Sequence, residues 1–71
     1  MRRFLIVVEK AEGNFSAYSP DLPGCVATGA TPEETQARMH EAIEMHIRGL
    51  EEDRVPVPEP SATAAYVEVG T

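Results

Sequence analysis

Tyr18-Ser19-Pro20-Asp21-Leu22-Pro23-Gly24-Cys25-Val26-Ala27-Thr28-Gly29-Ala30-Thr31-Pro32 holds three of the chain's six prolines and two of its five glycines. The stretch contains the end of a strand, a stiff turn, a short strand and the start of a helix. Proline fixes φ and glycine accepts positive φ, so Pro20, Asp21, Pro23 and Gly24 make the turn. Cys25-Val26-Ala27-Thr28 is short, apolar and partly β-branched, which predicts a strand. Thr31-Pro32-Glu33-Glu34 has the order of a helix start: Thr31 caps, Pro32 takes the first helical position, and Glu34 closes a capping box.

On the N-terminal side, residues 2–10 predict the first strand. Phe4-Leu5-Ile6-Val7-Val8 is continuously apolar, the pattern of a central strand covered on both faces. Ala11-Glu12-Gly13-Asn14 is a turn. Residues 15–19 follow as the second strand of a hairpin, with Phe15 and Ala17 facing one way and Ser16 and Tyr18 the other.

On the C-terminal side, a helix is expected over 32–53. At 100° per residue, Thr35, Met39, Ala42, Ile43, His46, Ile47 and Leu50 fall within an arc of roughly 140°, which is the core face. Glu34–Arg38 and Glu44–Arg48 are spaced to pair on the outer surface. Gly49 weakens the last turns, and a close approach of another backbone would explain it. The alternating prolines of Val55-Pro56-Val57-Pro58-Glu59-Pro60-Ser61 exclude helix and predict an extended connection. Residues 64–69 alternate Ala65, Val67 and Val69 against Tyr66 and Glu68, the pattern of a last strand.

The order β-β-β-α-β makes residues 1–71 one small α+β domain, a mostly antiparallel sheet with one helix packed on one face. Nothing else in the chain would cover the other face, and a large apolar face does not stay in water. A domain of this length is also marginal alone. Both points lead to a homo-oligomer, with a second subunit on the open face.

Twelve acidic residues against six basic give a net charge of −6. That charge argues against nucleic acid as a partner and suits a basic protein surface, or solubility alone. A single cysteine excludes an internal disulfide and fits a reducing cytoplasm. The longest apolar run is too short for a membrane span or a signal peptide.

Catalytic chemistry finds little support. Cys25 would need a paired base to act as a nucleophile, and reads better as a small buried hydrophobe. His46 lies on the apolar arc as a core-edge histidine. His40 lies roughly 240° around the helix from it, so the two cannot share a metal ion. Asp21 reads as an acceptor of backbone hydrogen bonds. Gly24 and Gly29 are followed by Ala30-Thr31, without the lysine of a phosphate loop. No enzyme, cofactor or metal site is expected.

Pro-Asp-Leu-Pro-Gly-Cys, followed by Gly-Ala-Thr-Pro-Glu-Glu, resembles the signature of HicB-type antitoxins, and the likeness extends over residues 3–58. The resemblance implies an antitoxin of a type II toxin–antitoxin system, which binds and neutralises a small HicA-type toxin that cleaves mRNA. A stiff turn loses little entropy on docking, so Tyr18, Pro20, Asp21, Leu22 and Pro23 are the expected contact surface. The alternative is that these residues only hold the turn. Full-length HicB antitoxins usually add a DNA-binding segment. Residues 55–71 leave no room for a recognition helix, so DNA binding is not carried over. A stand-alone oligomeric module without a toxin partner remains the alternative function.

Overall fold

The computed structural model describes residues 2–70. Three strands, β1 (Val7–Ala11), β2 (Asn14–Tyr18) and β3 (Val26–Gly29), are followed by one helix, α1 (Pro32–Glu52). The sheet is antiparallel throughout, in the order β1-β2-β3. The helix packs across one face, so the α+β class read from the sequence holds.

Gly13, at φ +83°, lets the first hairpin close between Ala11 and Asn14. Val7 pairs with Tyr18 and Val8 with Ala17. The next partners along the ladder would be Ser19 and Pro20, and proline has no N–H to give. The ladder therefore starts at Val7, not at residue 2. Ser19 offers a substitute bond, its hydroxyl donating to the Leu5 carbonyl at 2.9 Å.

The central strand is β2, and β1 lies at an edge. The continuous run Phe4–Val8 is thus not a strand covered on both faces, and all five residues are only half-buried. Phe4, Ile6 and Val8 turn toward the helix and pack on the core of Ala17, Leu22, Cys25 and Met39. The opposite face carries a cross-strand row, Val7–Tyr18–Val26.

The helix begins as its sequence dictates. The Glu34 N–H donates to Thr31 Oγ1 at 3.0 Å. The Glu34 carboxylate reaches back to the Ala30 N–H at 2.8 Å, one residue before the cap. Thr35 and Met39 are fully buried, and Ala42, Ile43, His46, Ile47 and Leu50 are half-buried along the same stripe. Arg38 pairs with Glu34 at 3.6 Å, whereas Glu44 reaches His40 at 3.7 Å instead of pairing with Arg48. A methyl added at Gly49 would meet nothing within 4 Å, so no backbone approach within the chain explains that glycine. The glycine that does permit a close approach is Gly29, against Thr35.

The helix ends in a Schellman pattern. The Arg54 N–H donates to the Glu51 carbonyl at 3.1 Å and the Val55 N–H to the Leu50 carbonyl at 2.8 Å. Arg54 holds φ +56°, a left-handed conformation that costs a residue with a Cβ about 1 kcal/mol. Arg54→Gly is expected to raise the unfolding free energy by about 1 kcal/mol, read as a shift of the urea midpoint at unchanged slope. A fall in the midpoint would mean that the arginine side chain matters more than its backbone strain.

Residues 55–70 form no helix or strand. The last strand expected at 64–69 is therefore absent: an extended segment becomes a strand only when a neighbour completes its ladder, and here none lies beside it. Tyr66 is fully exposed and Val67 and Val69 are 83% and 73% exposed. The radius of gyration, 13.8 Å, exceeds the roughly 11 Å of a compact domain of this length, because the tail stands away from the body.

Candidate functional site: the double-proline turn

The turn after β2 consists of two overlapping β-turns. The Leu22 N–H donates to the Ser19 carbonyl at 3.2 Å, and the Cys25 N–H donates to the Leu22 carbonyl at 3.1 Å. Each proline occupies the second position of its turn, where its fixed φ is already correct. Gly24 follows Pro23 at φ +84°, the requirement of a type II turn. Leu22 ends the first turn and starts the second. This geometry drives its side chain inward, where it is 1% exposed.

The five residues named from the sequence thus separate. Pro20 and Pro23 are exposed, and Tyr18 is 41% exposed on the open sheet face beside Val7 and Val26. Asp21 is half-buried, and its carboxylate accepts from the Ser61 hydroxyl at 3.0 Å and the Ala62 N–H at 3.3 Å. It holds the start of the tail, a role that no local sequence signal could reveal across forty residues. Leu22 belongs to the core and can touch a partner only if the turn opens. The surface that remains is Tyr18, Pro20 and Pro23, joined by Val7 and Val26, which the sequence reading did not include. The alternation of β1 and β3 could have found them had the register been known.

Cys25 and His46 line one shallow depression together with Gly24 and Met45. Sequence spacing gave no sign of this proximity. The pair does not form a reactive couple: among the described residues no hydrogen bond joins them, and burial pushes the Cys25 thiol up from its ordinary pKa. Cys25 should therefore react with a thiol reagent at least about 100-fold more slowly in the folded protein than in urea, since the thiolate is suppressed and shielded. Equal rates would place the thiol at the surface. Burial penalises only the thiolate, so the fold loses no stability while the thiol is neutral in both states and is progressively destabilised as pH rises past about 9, where the unfolded thiol ionises first.

His40 lies on the outer helix surface, paired with Glu44. Among the described residues no group of three or more His, Cys, Asp or Glu side chains could hold a metal ion, and no helix is long and apolar enough to cross a membrane. The arrangement is a rigid, mostly uncharged knuckle on an acidic domain.

The sequence model of a family described as HicB-like antitoxin of bacterial toxin–antitoxin systems matches residues 4–69. An uncharacterised 14.9 kDa protein from Haemophilus phage HP1 is 34% identical over 62 residues, covering 87% of this chain and 47% of that protein. A UPF0150 protein of Helicobacter pylori is 41% identical over 49 residues, 69% of this chain and 68% of that one. A UPF0150 protein of Synechocystis is 38% identical over 56 residues, 78% of this chain and 71% of that one. The chain spans about half the length of the phage relative and about two thirds or more of the other two.

Proposed function

The chain belongs to the HicB-like antitoxin family, and from that premise we propose that it binds and neutralises a small HicA-type, mRNA-cleaving toxin in the cytoplasm. The observation that carries the proposal is the family match over residues 4–69, which includes the whole double-proline turn. The role is regulatory, by occlusion, with no catalytic group of its own.

The docking surface in this reading is the exposed knuckle of Tyr18, Pro20 and Pro23 with the adjoining row Val7–Tyr18–Val26. Asp21 and Leu22 shape it from behind, one by tying the tail and the other by anchoring the turn. A turn already fixed by two prolines loses little entropy on binding. The net charge of −6 attracts a basic, RNA-binding surface and raises the association rate, an effect that weakens with salt. Self-association is the second part of the proposal: a domain this small with this much half-buried apolar surface gains from a second copy.

The test is titration calorimetry against a purified HicA-type toxin. Tyr18→Asp puts a charge into the middle of the apolar row and is expected to weaken binding at least about tenfold, while lowering the unfolding free energy by only about 1 kcal/mol, since it loses cross-strand pairs but no core contact. Unchanged affinity for Tyr18→Asp and for Pro23→Asp would remove the knuckle from the interface. No heat with such a toxin would favour an oligomeric module without a toxin.

A further inference from the structure

We propose that residues 63–69 of one copy add as a strand to the free edge of β1 in a second copy, and that the exchange is reciprocal. The inference deepens the self-association proposed above and rests on it. It also moves the interface from the open sheet face to the sheet edge, leaving the Tyr18 row free for a different partner.

Two incomplete halves in the same chain support this. The first is the edge. β1 has a neighbour on one side only, and the residues before it, 2–6, have no ladder partner at all. Beside that edge runs a groove of about 960 Å³ between the N-terminal segment and the helix, floored by Phe4, Ile6, Ile43 and Ile47. The same groove also carries polar residues, among them Glu33, His40 and Glu44, and an unpaired edge beside a partly apolar groove is a template for strand addition.

The second half is the tail. It has strand alternation and no strand neighbour. Placed along the edge with Ala65, Val67 and Val69 toward the helix, it would fill the groove with aliphatic side chains. Tyr66 and Glu68 would then share the opposite face with Arg3, Leu5 and Val7, and in the antiparallel direction Arg3 supplies a cation for Glu68. Seven extended residues span roughly 23 Å, which matches the length of chain from residue 2 to residue 8.

The other sheet edge is a poorer site. It is only the four residues of β3, and there the Arg38 guanidinium already donates to the Thr28 carbonyl at 3.2 Å. In the single chain the tail makes no ladder: Ser61 and Ala62 are tied to Asp21, and residues 63–70 beyond them are exposed. A second copy satisfies both halves at once. Two-fold symmetry gives two such contacts for one association.

The experiment is disulfide trapping in the full chain. Arg3→Cys with Glu68→Cys tests the antiparallel direction, which sets residue 68 opposite residue 3, and Val7→Cys with Glu68→Cys tests the parallel one, which sets it opposite residue 7. Arg3 and Glu68 are exposed and Val7 is half-buried in the single chain. Under mild oxidation one of the two double variants is expected to form a covalent dimer, and the corresponding single variants are not. A covalent monomer would overturn exchange in favour of the chain's own tail. No cross-link in a protein that light scattering sizes as a dimer would overturn the edge as the interface while leaving self-association standing. A monomer by light scattering would remove self-association itself. Val67→Asp provides an independent reading: the dimer dissociation constant should rise by roughly 100-fold, since both copies lose the contact. The unfolding midpoint of the monomer should not move. A dimer indifferent to Val67→Asp would contradict the proposal.

Discussion

Gly29→Ala lowers the unfolding free energy by about 2–3 kcal/mol, while Gly49→Ala raises it by about 1 kcal/mol. A Cβ built on Gly29 would lie 2.6 Å from Thr35 Oγ1 and 2.8 Å from the Thr35 backbone nitrogen. Neither atom can withdraw cheaply. The Thr35 hydroxyl donates to the Thr31 carbonyl at 2.7 Å and the Thr35 N–H donates to the same oxygen at 2.9 Å. Relief of the clash requires the first helical turn to separate from β3, and with it the cap that starts the helix. Gly49 has open space and an ordinary helical backbone, so alanine there only removes freedom from the unfolded chain. The two substitutions are chemically identical and opposite in sign. Urea denaturation of both measures the difference, and destabilisation of similar size at both sites would refute this account of the helix–sheet contact.

Leu22→Ala costs about 3 kcal/mol. Leu22 is among the largest fully buried side chains of the domain and packs with Ala17, Cys25 and Met39. The total stability of a domain this size is roughly 4–11 kcal/mol, so about a quarter to three quarters of it is lost through one turn residue. The variant also separates two roles for the turn. If Leu22 anchors the knuckle from inside, Leu22→Ala weakens folding, and affinity for a partner falls only as the turn loosens. If Leu22 were itself a contact, affinity would fall with stability unchanged. Thermal unfolding and calorimetry on the same sample distinguish the two.

The hairpin, the short third strand and the capped helix were legible because each is written locally: Gly13 at the turn, two prolines each preceding a turn position, Thr31-Pro32-Glu33-Glu34 at the cap. The helical stripe from Thr35 to Leu50 also lay where the period placed it. What local patterns could not supply was partnership between distant segments. Phe4–Val8 has the composition of a central strand, but strand order is set by which neighbour completes a ladder, and Pro20 ends the one that would have extended β1. Residues 64–69 have the alternation of a strand and lack a neighbour in the chain. Gly49 drew attention as a helix glycine, whereas the close approach lies at Gly29, where two elements far from any glycine rule meet. The same limit applies to the turn. Its stiffness was readable from Pro20 and Pro23, but whether Leu22 faced a partner or the core depended on two hydrogen bonds that only the folded turn displays.

Neutralisation of a toxin is the claim on which the functional reading stands, and an RNA-cleavage titration tests it most directly. A HicA-type toxin is incubated with mRNA while this protein is added from zero to a twofold excess. The account predicts that cleavage falls to background near molar equivalence, with Tyr18→Asp shifting the titration to higher concentration. Cleavage that continues undiminished through the twofold excess would contradict it.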